Sequence, residues 1–224
     1  MSLRLGILGG MFDPVHCGHV AVAREARDAL QLDQVHLVPC HLPAHRQQAS
    51  ASGAHRLAMV RLALAGEPGL IADDRELRSP GVSYTIDTLN SFRSEFPAAT
   101  LVCIMGWDSF AGLTGWHQWE SLLELSHLCV ATRPSDEQSG GIKGRRHASG
   151  SSLAQPLDRL LAERQVFDLA SLYTKRAGHV FLLNDLALPH SSTAVRANLV
   201  ADEPEITAIA EPVLQYIRQH QLYF

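Results

Sequence analysis

The chain has 224 residues, of which 46% are apolar and 19% charged, with a formal net charge of −4 at pH 7. A chain of this length buries roughly 70–75% of its unfolded surface, so it needs no disulfide or metal to fold, and its composition excludes a disordered chain. The acidic balance argues against a non-specific nucleic-acid binder but leaves anionic small molecules open, because a few local donors suffice to hold phosphate.

The elements read in chain order as strands alternating with helices. Leu3–Leu8 is strand-like and ends at Gly9-Gly10. A helix is predicted from near Gly18 to about Leu30, with Val20, Ala23, Ala26 and Leu30 as its apolar stripe. Val35–Val38 is a strand stopped by Pro39, and Ala54–Ala65 a helix with Leu57, Val60 and Leu64 on one face. The stretch from Ile71 to Ser83 has no clear period. Thr85 is placed to cap a helix carrying Ile86, Leu89 and Phe92. Leu101–Met105, His127–Thr132 and Val180–Leu183 are further strands, with Leu122–Leu125 helical. Two C-terminal helices start near Thr193 and Pro212, proline suiting a first helical position. This order predicts a Rossmann-like, doubly wound parallel α/β sheet with helices on both faces and right-handed crossovers. One domain over 1–224 is expected, with a small helical part from about 190 to 224. Ser135–Ser152, half Ser and Gly with Lys143, Arg145 and Arg146, is expected to be a flexible surface loop.

No window holds the 18 or more apolar residues of a membrane span. The first residues read as a strand rather than a signal peptide. The cysteines Cys17, Cys40, Cys103 and Cys129 form no C-x-x-C pair, which suits reduced thiols in the cytoplasm.

Chemistry concentrates in Gly9-Gly10-Met11-Phe12-Asp13-Pro14-Val15-His16-Cys17-Gly18-His19, where the first strand passes into the first helix. Open α/β sheets bind ligands at this edge. Gly9 and Gly10 are expected to allow a sharp turn and close approach to a ligand, and Asp13-Pro14 is a turn pair. His16 and His19, three apart at a helix start, face the same way beside free N–H groups, and Gly18 leaves room between them. The segment is neither a Walker A loop nor a dinucleotide fingerprint. A phosphate cradle built on histidines is the residue-level reading. A second cluster, His190-Ser191-Ser192-Thr193-Ala194-Val195-Arg196, puts hydroxyls ahead of a helix and an Arg three residues further on, again a set of anion donors. A zinc site from His16, Cys17, His19, Cys40, His41 and His45 is disfavoured, because ligands adjacent in sequence rarely converge tetrahedrally.

The first segment resembles the G-x-F-D-P-x-H-x-G-H signature of the HxGH nucleotidylyltransferase superfamily, and the second resembles its I-S-S-T-x-x-R motif, with His190 where Ile is usual. Three more stretches resemble bacterial nicotinate mononucleotide adenylyltransferases: Leu42-Pro43-Ala44-His45-Arg46, Ser83-Tyr84-Thr85-Ile86-Asp87-Thr88, and Met105-Gly106-Trp107-Asp108-Ser109 followed by Trp116. The likeness continues through Arg133-Pro134 and the tail 211–217, leaving out about 135–178.

The resemblance implies adenylyl transfer from ATP to nicotinate mononucleotide, with pyrophosphate released in NAD biosynthesis. It implies His16, His19 and Arg196 as catalytic residues, and Gly9, Gly10, Met11, Phe12, Gly18, Asp108, Ser192 and Thr193 as ATP-binding. His45, Arg46, Thr85, Trp116 and Arg133 are implied for the mononucleotide. Mg²⁺ is expected to ride on ATP without a dedicated protein site. The family's Asn before P-P-H is replaced by Cys40-His41, which leaves backbone groups of that turn to meet the carboxylate. Another phosphate-bearing acceptor (nicotinamide mononucleotide or phosphopantetheine) is the alternative, followed by a non-catalytic nucleotide sensor. Both a monomer and a homo-oligomer are compatible with the sequence.

Overall fold

The computed structural model describes residues 2–43, 49–132, 153, 155–183, 191–201 and 207–224. Its strands are β1 (Arg4–Gly10), β2 (Gln34–Pro39), β3 (Leu42–Pro43), β4 (Leu70–Ala72), β5 (Val82–Ser83), β6 (Thr100–Gly106), β7 (His127–Ala131), β8 (Gln165–Val166) and β9 (Val180–Leu183). The helices are α1 (Cys17–Ala29), α2 (Gly53–Ala63), α3 (Arg75–Arg78), α4 (Thr85–Glu95), α5 (Trp107–Ala111), α6 (Leu122–Leu125), α7 (Gln155–Arg164), α8 (Leu169–Leu172), α9 (Ser192–Val200) and α10 (Glu211–Gln219).

Seven strands form one parallel sheet in the order β4-β2-β1-β6-β7-β9-β8, and β3 pairs with β5 in a separate two-stranded ribbon. The chain starts in the middle, winds outward through β2 and β4, and then returns to build the other half from β6. The β1–β6 boundary is therefore the topological switch point, where the connections leaving neighbouring strands part and open a crevice. Gly9-Gly10 ends β1, and Gly106 ends β6 two residues before Asp108. Both motifs thus come to that crevice through topology alone.

Both faces of the sheet are covered, which is why its strands read as continuous apolar runs. Leu8, Val102 and Ile104 point to a core shared with Val20 and Ala23 of α1, Val60 of α2, and Val213 and Ile217 of α10. Leu5, Ile7, Leu101, Cys103 and Met105 point to the opposite core, with Ile86, Leu89 and Phe92 of α4 and Leu122 of α6. Gly6 marks how closely the first layer fits: a Cβ there would lie 2.8 Å from Leu32 and 2.9 Å from Val35 and Ile104.

The predicted strands are present, and two edge strands, β4 and β8, join them. At three and two residues they are too short to show a period. Thr85 is the first residue of α4 and not its cap; Tyr84 holds the cap position without a side-chain bond. The β3–β5 pairing keeps the chain extended up to this point. The segment 135–152 lies outside the described residues. Among the described residues no helix is long and apolar enough to cross a membrane.

Candidate functional site

The turn between β1 and α1 is stiffer than its glycines suggest. Gly9 and Gly10 belong to β1, and neither has a positive φ. The left-handed residue is Phe12, at φ 48°, a strained conformation for an aromatic residue. Its ring is buried and stands edge-on to His19, 4.9 Å between centroids. The glycines are not needed here for turning, and at Gly9 packing does not demand one either: a Cβ there would meet nothing within 4 Å among the described residues. A Cβ on Gly10 would come within 3.2 Å of the Phe12 ring.

His16 caps α1 in extended geometry, and His19 is the third residue of the helix. The His19 N–H donates to the His16 carbonyl at 2.9 Å, and the His16 N–H donates to Nδ1 of His19 at 3.2 Å. This reciprocal pair uses imidazole where a capping box normally uses a carboxylate or amide. It also makes Nδ1 of His19 an acceptor, so the neutral ring carries its proton on Nε2. The two rings stack with centroids 3.7 Å apart. Burial, and then the neighbouring His16, lower the His19 pKa to about 3. His19 is therefore a neutral N–H donor at physiological pH. Gly18 is buried between them as the second residue of α1.

The second motif docks onto this turn. The Ser191 hydroxyl accepts from the Ala194 N–H and caps α9. The Ser192 hydroxyl donates to the Pro14 carbonyl at 3.0 Å, and Arg196 Nη1 donates to the Asp13 carbonyl at 2.6 Å. Thr193 Oγ1 lies 3.5 Å from Arg196 Nη2. Ser192, Thr193 and Arg196 are thus brought to the same loop that presents His16 and His19, although the Ser192 hydroxyl already has a protein acceptor.

Asp108 is exposed in the first turn of α5, one strand over from Gly9. Thr85 and Trp116 are half-buried, and Trp116 packs on the α4-side core. Their neighbourhoods meet through Tyr84 and His117, whose rings are 4.5 Å apart. The ribbon β3–β5 carries this region: the His41 N–H donates to Ser83 Oγ at 2.8 Å. Cys40 Sγ lies 3.2 Å from Met11 Sδ, where the family pattern has Asn. His45, Arg46, Arg133 and His190 lie outside the described residues.

Two residues shape the site in ways their sequence positions do not show. Arg56 on α2 is 2% exposed and donates to the carbonyls of Ala51, Met11 and Cys40, tying the ends of β1 and β2 to the start of α2. Its signal was an Arg four residues before buried Val60, on the inward stripe. Asp13, read as a turn residue, is 4% exposed and accepts from the N–H groups of Ser50 and Ala51. Among the described residues no group of three or more His, Cys, Asp or Glu side chains could hold a metal ion.

A parallel sheet with a histidine-pair turn at its switch point, faced by a serine-capped helix carrying Arg, defines a nucleotidyltransferase-type site, and residues 7–198 match the family described as cytidylyltransferase-like. Relatives named probable nicotinate-nucleotide adenylyltransferase include one from Aeromonas salmonicida, 40% identical over 98% of this chain and 96% of its own length. Another, from Cellvibrio japonicus, is 42% identical over all of both chains. The solved Plasmodium falciparum nicotinic acid mononucleotide adenylyltransferase complexed with NaAD superposes with a TM-score of 0.67. It covers 99% of this chain and 97% of that one, at 17% identity, a likeness of fold. The chain belongs to the cytidylyltransferase-like nucleotidyltransferases, among the relatives named nicotinate-nucleotide adenylyltransferase.

Proposed function

We propose that this chain transfers the adenylyl group of ATP to the phosphate of nicotinate mononucleotide, giving nicotinate adenine dinucleotide and pyrophosphate. The observation that carries the reading is the docking of α9 on the β1–α1 turn, which sets Arg196 on Asp13, three residues before His16. The extent of identity with the named relatives supports the same acceptor.

The nucleophile is the acceptor's own phosphate, already anionic at neutral pH, so no protein base is required. One of its oxygens bonds to the α-phosphorus, the bond from that phosphorus to the bridging oxygen breaks, and the electron pair leaves with pyrophosphate. The protein's part is alignment and charge stabilisation. We assign His16, His19 and Arg196 to the transferred and leaving phosphates. The burial that keeps His19 neutral also strengthens its Nε2–H bond to an arriving anion, whose charge raises the proton affinity of the ring. Gly9, Gly10, Met11, Phe12 and Gly18 shape the nucleotide floor, Asp108 accepts from ribose hydroxyls, and Ser192 and Thr193 bring the first-turn N–H groups of α9. Thr85 and Trp116 take the nicotinate ring, with His45, Arg46 and Arg133 on the mononucleotide phosphate. Mg²⁺ would be carried on ATP and would neutralise phosphate charge there; Asp13 is a poor direct ligand for it, since both its carboxylate oxygens already accept from protein donors. The reading takes residues 1–224 as one domain, supported by a core that runs from Leu8 to Ile217.

The test is an acceptor panel. Purified protein with ATP and Mg²⁺ is given nicotinate mononucleotide, nicotinamide mononucleotide or phosphopantetheine, and pyrophosphate is measured. Fastest release with nicotinate mononucleotide is expected. Preference for another acceptor overturns the acceptor assignment, and no release with any of them overturns the enzyme.

A further inference from the structure

Asp13 accepts four hydrogen bonds, two of them from residues far along the chain. Its Oδ2 accepts from the Ser50 N–H at 2.7 Å. Its Oδ1 accepts from the Ala51 N–H at 3.0 Å and from the Tyr223 hydroxyl at 2.8 Å. Its backbone carbonyl accepts from Arg196. One buried aspartate thus joins the phosphate turn, the start of α2, the α9 motif and the C-terminal segment.

The chain is turned toward Asp13 by the end of α10: Gln221, at φ 50°, closes the helix in a Schellman turn with the Leu222 N–H on the Ile217 carbonyl, and Tyr223 itself holds a positive φ of 71°, uncommon for an aromatic residue. The hydroxyl's proton is held firmly, because burial and then the Asp13 carboxylate push the Tyr223 pKa upward. It donates to a carboxylate and cannot become an anion at working pH, so the bond is of the stronger, charge-assisted kind.

From this junction we propose that Tyr223 is a positioning residue for adenylyl transfer, acting through Asp13 to hold the His16–His19 turn in register with α9 and with the chain entering α2. The inference rests on the reaction given under Proposed function. Among the described residues Tyr223 makes no hydrogen bond to His16, His19 or Arg196, although the Arg196 charge acts on it; its hydrogen bond to the turn is through the Asp13 carboxylate. Asp13 keeps two backbone donors without it, so the turn survives but loses its fixed direction. Misplacement of reacting groups by a fraction of an ångström is costly when catalysis is mainly alignment.

The experiment compares wild type, Tyr223→Phe, Asp13→Asn and the double variant in formation of nicotinate adenine dinucleotide. Hydrogen exchange is followed in peptides spanning residues 11–19 and 49–52. Tyr223→Phe keeps the ring and removes only the donor. The expected result is a kcat about tenfold lower at a temperature well below its Tm, with faster amide exchange in both peptides. The double variant is expected to be no slower than Asp13→Asn alone. Wild-type kcat in Tyr223→Phe, exchange altered only in residues 207–224, or losses that multiply in the double variant would each overturn the proposal. Should Asp13→Asn fail to fold, kcat and exchange of Tyr223→Phe decide alone. If the wild-type protein forms no dinucleotide, the reaction is wrong, while the exchange result still decides whether Tyr223 orders the turn.

Discussion

Replacing His19 separates its two jobs, because the ring both closes the start of α1 and presents a donor to the crevice. In His19→Ala the His16 N–H loses its acceptor, and the stacked and edge-on ring contacts with His16 and Phe12 disappear. An unmet amide costs about 1–3 kcal/mol, and less where water can reach it, so a drop in stability of about 1–2 kcal/mol is expected. The catalytic loss is larger. Removing one preorganised donor from developing phosphate charge costs about 10²–10³ in kcat, or ~2.7–4 kcal/mol. His19→Gln distinguishes the two effects. Glutamine at the third helical position can accept from the cap N–H as in an ordinary capping box, so the helix start is kept while the imidazole donor is lost. Both variants should lose at least about 100-fold in kcat, and only the alanine variant should lose appreciable Tm. Steady-state pyrophosphate release and thermal melts supply the readings. A His19→Ala enzyme with near-wild-type kcat would refute the assignment. So would a Gln variant whose activity loss matched its loss of stability.

Gly6→Ala should cost about 1–3 kcal/mol by overpacking against Leu32, Val35 and Ile104, lowering the urea midpoint while leaving kcat nearly intact. Trp116→Ala should raise KM for the mononucleotide at least tenfold with little change in KM for ATP; equal changes in both would remove the ring from the acceptor side. Acid should destabilise the fold through histidines. The His127 pKa is lowered to about 4 by burial and then by His179, and that of His19 to about 3, both below the unfolded value near 6.5. The unfolded chain then binds more protons, so stability is full above about pH 6.5 and falls with pH by up to ~1.4 kcal/mol per unit for each histidine. His127→Asn, which can keep the acceptor for the His179 N–H, should reduce that slope between pH 6.5 and 4 in urea titrations. An unchanged slope would show that His127 does not carry it.

The strands of the sheet's interior were legible because burial on both faces writes itself as unbroken apolar runs. The edge strands Leu70–Ala72 and Gln165–Val166 were not, since two or three residues carry no period. His16, His19 and Arg196 could be picked out because helix starts and anion donors are local chemistry. What stayed hidden depends on contacts across the fold: Arg56 looks like one charge on a helix until its three carbonyl acceptors are seen, and Asp13 reads as half of a turn pair. His36 faces Asp73, and His55 bonds to Tyr216, partnerships that only the tertiary structure creates.

The acceptor's own phosphate oxygen is the nucleophile at the α-phosphorus, and this is tested by supplying nicotinate mononucleotide with ¹⁸O in its phosphate and following the label by mass spectrometry. All the label is expected in nicotinate adenine dinucleotide, with none in pyrophosphate. Label in pyrophosphate, or a labelled mononucleotide returned unchanged while ATP is consumed, would contradict it.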